Sequence, residues 1–179
     1  MTPQQRNGFV HDYGAVIACI FFTGVGVAAW WTLGWTVVLP PLLAYYATLV
    51  VSTFFSIRIF APLTPASAIQ RAFDVVLVLV YAMLAFSMQS SVSFSGVSAA
   101  LFLVSIVKYL HLQQLIGRTP TLSRKIRLNV LAALLSCASF GISLAGFPIL
   151  AAWLLGMIFV AANVYLLTIN PMRPIERPR

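Results

Sequence analysis

Acidic side chains are almost missing from this chain. Of its 179 residues 8% are charged, three are Asp or Glu (Asp12, Asp74 and Glu176), two are His and two are Cys. Soluble domains carry about a quarter charged residues, so the composition excludes a water-soluble globule. Catalytic signatures are missing too: there is no CxxC, no HExxH, no G-x-S-x-G and no nucleotide-binding glycine loop. The few acids and histidines form no cluster in sequence, and the expectation is a protein that is not an enzyme and needs no cofactor or metal. His11 and His111 have no companions at ligand spacing and read as interfacial histidines rather than haem or metal ligands. Cys19 and Cys137 both fall inside apolar runs, so no disulfide framework is expected and each reads as a small core hydrophobe.

What the chain has in abundance is hydrocarbon. Hydrophobic residues make up 61% of it and the mean hydropathy is +0.97. A bilayer core about 30 Å thick needs about 20 helical residues rising about 1.5 Å each. Six such runs fit, at 14–33, 37–57, 74–90, 92–112, 128–146 and 148–168. They are continuous, whereas membrane strands alternate apolar and polar residues in segments of about ten. The expected fold class is therefore all-α, a polytopic membrane protein with six transmembrane helices. The polar N-terminal dozen residues and the full-length first run read as an uncleaved first helix rather than a signal peptide.

A net charge of +8 and a pI near 10.2 would point to nucleic acid in a soluble protein. Position argues otherwise, and no nucleic-acid partner is expected. Arg6 precedes the first run; Arg58 and Arg71 lie between runs two and three; Arg118, Arg124, Lys125 and Arg127 lie between four and five; Arg173, Arg177 and Arg179 follow the sixth. The alternate connections carry no basic residue. The positive-inside rule then places both termini in the cytoplasm of a bacterial-type inner membrane. The "RKIR" linker and the basic tail are expected on anionic lipid headgroups, each charge contributing about 1 kcal/mol near the surface.

Short outer connections pair the runs into three antiparallel hairpins, 14–57, 74–112 and 128–168, in one integral membrane domain spanning 1–179 with tails 1–13 and 169–179. Each hairpin ends in a proline-bearing phrase: "APLTPAS", "GRTPTLS" and "INPMRP". Asp74 and Lys108 stand 34 positions apart, and Asn129 and Asn163 repeat that interval, which is compatible with an internal repeat of hairpins. Asp74 is expected to open helix three, to cap it and to pair with Lys108 near the cytoplasmic boundary; Asn129 and Asp12 are expected to cap helices five and one. The functional alternative makes Asp74 a proton or cation site at the inner mouth of a path, since ionisable residues inside membranes are usually functional. Asp74, Lys108, Asn129 and Asn163 are the pathway candidates, with Ser105, Ser136 and Ser139 beside them.

Other features have plain readings. Trp30, Trp31 and Trp35 read as an interfacial belt, and Pro40 and Pro41 as the first turn of helix two rather than a kink. The serines of "SMQSSVSFSGVS" read as solvated turn residues and caps, with a polar vestibule as the alternative. Small residues four apart, as in Gly14/Ala18, Gly24/Ala28, Gly96/Ala100, Ala133/Cys137/Gly141 and Ala152/Gly156, permit close helix approach within a bundle, and equally to a second copy or a membrane-complex partner. The expected function is a small channel or transporter for an ion or small solute; the alternative is an accessory or assembly subunit of a larger membrane complex. In a Cys19→Ala, Cys137→Ala background, a cysteine at position 125 should resist an impermeant maleimide added outside intact cells and react once the membrane is opened; labelling in intact cells would invert the topology.

Overall fold

A computed structural model of the chain describes residues 3–65 and 67–169, with side chains from residue 13 onward, Ala66 excepted. Among the described residues there are six long helices and no strand: α1 (Pro3–Leu33), α2 (Leu39–Phe60), α3 (Ala68–Phe86), α4 (Ser91–Ile116), α5 (Pro120–Leu144) and α6 (Pro148–Thr168). A single 3-10 turn, Ala61–Leu63, extends α2. All six helices are long and apolar enough to cross a membrane.

Their starts are set by chemistry at the first turn. Ser67 accepts from the Gln70 N–H at 3.1 Å, Ser90 from Ser93 N–H at 3.3 Å and Thr119 from Leu122 N–H at 3.3 Å, each satisfying an amide left free at a helix start. Pro40, Pro120 and Pro148 stand in first turns, where a missing N–H costs nothing. These caps correct three expectations. Asp74 lies in the second turn of α3 and does not cap it, and Asn129 lies well inside α5. Asp12 falls within α1 rather than at its start, and its side chain is outside the described residues, like that of His11 and like the basic tail. The apolar runs mark where lipid begins; the capping hydroxyls mark where the helix begins, and here these differ by several residues.

The helices close a ring in the order α1, α2, α6, α5, α4, α3 and back to α1, with α4 and α6 also touching across it. Three hairpins repeated about an axis would join the second helix of each to the first of the next. Here α2 meets α6 and α1 meets α3, so the ring does not have that order. The α2/α6 joint is a backbone contact: a Cβ on Gly156 would lie 2.5 Å from the Pro41 carbonyl oxygen. At the α1/α2 joint, Gly26 leaves room for the Tyr46 ring, whose hydroxyl donates to the Phe22 carbonyl at 2.9 Å. Of the small pairs in the sequence, Ala152/Gly156 is buried in such a contact, whereas Gly24/Ala28 and Cys137/Gly141 are exposed. Cys137, expected in the core, sits on the outer face of α5, where lipid accepts a small apolar side chain equally well.

The end of the ring away from the basic linkers is densely filled. Leu42, Tyr45, Leu84, Ala85, Met88 and Phe94 are fully buried there. The perimeter carries Ile17, Ile20, Leu79, Leu134 and Met157, all exposed, as a lipid-facing surface requires. Gly156→Val should lower the unfolding free energy in detergent by about 1–3 kcal/mol, because the atom it meets is backbone and cannot swing away. Gly24→Ala, with open space at its Cβ, should stay within about 0.5 kcal/mol. Equal losses of thermal stability for the two would contradict the α2/α6 contact.

Candidate functional site

One cavity of about 840 Å³ occupies the centre of the ring, and all six helices contribute to its wall. Its polar residues lie in the half nearest the basic linkers. Asp74 on α3 and Lys108 on α4 form an ion pair there, with Lys108 16% exposed and Asp74 56%. With its carboxylate this open to the exterior, the pair is a modest stabiliser, of the class measured at about 0–1 kcal/mol. Lys125, on α5, donates to Ser56 Oγ of α2 at 2.8 Å and stands 5.8 Å from the centre of the Tyr109 ring. Gln70, in the first turn of α3, is 1% exposed and neither atom of its amide has a partner; Asn129 is 4% exposed and its Nδ2 has none. Asn163 spends its Nδ2 on the Phe159 carbonyl of its own helix at 2.9 Å.

Toward the ring's far end the cavity meets aromatic side chains. Phe22 stacks on Tyr81 with centroids 4.3 Å apart, and Phe159 stacks on Tyr45 at 4.0 Å with Phe102 at 6.0 Å. Phe102 and Phe159 lie eleven residues inside their helices from that end, so roughly 16 Å of helix separates this floor from the far surface.

Beyond the floor, α4 and α5 are zipped by hydroxyls. Ser91 meets Ser143 at 2.7 Å, Ser95 meets Ser139 at 2.9 Å and Ser98 meets Ser136 at 2.8 Å, all buried. A hydroxyl has one proton to give, which fixes the direction of the bonds. Ser136 donates to the Ala132 carbonyl, so Ser98 must donate to Ser136, and the Tyr45 hydroxyl, 2.5 Å away, must donate to Ser98. Ser139 donates to the Ala151 carbonyl of α6, so Ser95 donates to Ser139. These bonds tie α2, α4, α5 and α6 together and give every hydroxyl proton of Tyr45, Ser95, Ser98, Ser136 and Ser139 an acceptor.

The four sequence candidates, Asp74, Lys108, Asn129 and Asn163, all line the cavity, as does Ser105. Ser136 and Ser139 do not; they belong to the zipper. Ser91, Ser95 and Ser98, expected as solvated turn residues, are buried in it, while Ser90 caps α4 and Ser87 bonds the Leu84 carbonyl as turn residues do. Gln70, Ser56 and Lys125 were not singled out from the sequence. A signal for Lys125 existed: it lies one helical turn before Asn129 and so shares a face with it, but it stands in a basic run that reads as lipid-facing. His111 packs near Phe73, with ring centroids 6.2 Å apart. Comparison with protein-family models, curated proteins and solved structures returns no match.

Ser139→Ala should cost about 1–3 kcal/mol of stability by stranding the Ser95 hydroxyl proton in a buried site. Adding Ser95→Ala should recover part of that loss, so that the double variant unfolds no earlier than the single one. Strictly additive losses in a double-mutant cycle would show that the two hydroxyls do not depend on each other.

Proposed function

We propose that the protein is a small solute transporter of the inner membrane, working as a carrier rather than an open channel. The observation that carries this reading is the one-sided cavity: polar and charged at the end that bears the basic linkers, closed at mid-depth by aromatic side chains and sealed beyond by the serine zipper. A channel needs a continuous polar path. A carrier needs a central site reachable from one side at a time, between helices whose joints can be remade. In this reading the three pairs α1/α2, α3/α4 and α5/α6 are antiparallel hairpins, both termini are cytoplasmic, and the cavity faces the cytoplasm, as the distribution of Arg and Lys favours. Asp74 and Lys108 form its mouth; Asn129 and Asn163 line the same polar half.

A second reading, as an accessory subunit of a membrane complex, is favoured by one feature. The Gly24/Ala28 face of α1 and the Cys137/Gly141 face of α5 are exposed and unused by the bundle itself, and such faces let another helix approach closely.

Purified protein in liposomes should show saturable uptake of its solute above protein-free vesicles. Asp74→Asn, at unchanged protein level, should reduce it at least about tenfold if the ion pair gates the mouth, a transition-state change of about 1.4 kcal/mol. Co-purification with partners in fixed stoichiometry, together with no flux across a solute panel, would move the weight to the second reading.

A further inference from the structure

The cavity has a charge and hydrogen-bond imbalance that points to a kind of ligand. Asp74 is neutralised by Lys108. Lys125, partly covered by the bundle, has no carboxylate partner among the described residues; it holds one hydroxyl, Ser56, and one ring face, Tyr109. An ammonium carries three N–H groups, so this one has donors to spare. Two carboxamides in the same wall, Gln70 and Asn129, are more than nine-tenths buried with N–H groups that bond to nothing in the protein. Buried donors without acceptors cost about 1–3 kcal/mol each, and an ammonium without a counter-charge costs more. Three groups on two helices, Gln70 of α3 and Lys125 and Asn129 on successive turns of α5, thus present donors to one space, with the unpartnered Gln70 Oε1 beside them as an acceptor.

The deeper wall is different in kind. Leu77, Leu101, Phe102, Leu135 and Phe159 line it, and they offer no hydrogen bond. A cationic headgroup would meet Lys125 with repulsion. A sugar or a small inorganic anion would leave the hydrocarbon half of the wall facing nothing it can bind. A volume of about 840 Å³ lies within the range that encloses one drug-sized ligand, about 300–1,000 Å³.

We infer that the cavity binds a single-chain amphipathic anion, with its phosphate or carboxylate head on Lys125, Gln70 and Asn129 and its acyl or alkyl chain running toward Phe102 and Phe159. The inference rests on the reading of this cavity as a carrier's binding site and names what that site takes. The oxyanion fills the spare N–H groups, charge-assisted on Lys125, and the chain removes apolar surface from water at about 25 cal/mol per Å².

The test uses the full chain in nanodiscs of neutral phosphatidylcholine, with tetradecyl phosphate carrying a terminal diazirine as the probe. After irradiation, peptide mapping should place the label on cavity residues such as Phe102 and Phe159. Unlabelled tetradecyl phosphate should displace it, whereas tetradecyltrimethylammonium and inorganic phosphate should not. Lys125→Gln should weaken labelling about tenfold and Lys125→Arg should restore it, as expected for a hydrogen-bonded charge. Gln70→Leu should weaken it in a protein that keeps its unfolding temperature, which holds the test open if Lys125→Gln fails to fold. Label confined to perimeter residues such as Leu134 and Met157 would overturn the inference, as would equal displacement by the cationic amphiphile. Displacement by inorganic phosphate alone would overturn its apolar half. Cavity labelling without flux in liposomes would support the ligand assignment and remove the carrier reading; saturable flux of a polar solute with no cavity labelling would do the reverse.

Discussion

Hydroxyl-to-hydroxyl bonding between α4 and α5 is the contact on which the rest of the bundle is arranged. Among lipid tails, apolar side chains gain little by choosing one another over the solvent, so helix association falls to close packing and interhelical hydrogen bonds. The α4/α5 seam supplies both: serine is small enough to bring two helices together and polar enough to fix their register. Each of its bonds is individually modest, averaging about 0.6 kcal/mol in membrane proteins. A shift of either helix by one turn would nonetheless break all three and re-form at most two, leaving a serine at each end of the seam without its partner. Tyr45 then draws α2 onto the seam, and Ser139 draws α6.

With that end fixed, the helices are held differently at the other. Below Ser98 and Ser136, the same α4/α5 interface continues through bulkier residues, Tyr109 and Lys125, to a small second core of Phe60, Tyr109, Leu112 and Leu122. Space opens between these two packed ends, and it is there that the charged and carboxamide groups gather. The cavity thus lies between two packed ends, the serine seam at one and the cluster of Phe60, Tyr109, Leu112 and Leu122 at the other.

Much of this was legible from residue type and order. Six apolar runs give six helices, and the two prolines after Leu39 stand in a first turn because that is where their missing donors are harmless. Equal distance from one apex brought Asp74 and Lys108 together. The capping roles of Asp74 and Asn129 were misjudged because hydropathy locates the edge of the apolar run, whereas Ser67 and Thr119 locate the edge of the helix. The zipper was not legible: serines at helical spacing on two separate runs look like turn chemistry until the runs are known to face one another. Lys125 was hidden for a related reason, since a basic residue in a basic linker gives no sign that the helix carries it inward.

The bond from Lys125 to Ser56 joins α5 to α2, two helices that are not neighbours in the ring because α6 stands between them. It is a spoke rather than a piece of the rim. Any occupant that claims the ammonium must share it with Ser56 or release it, and releasing it frees the lower ends of two helices from each other. Sharing keeps the spoke in place, because Ser56 takes one of the three N–H groups of the ammonium and leaves two for the cavity.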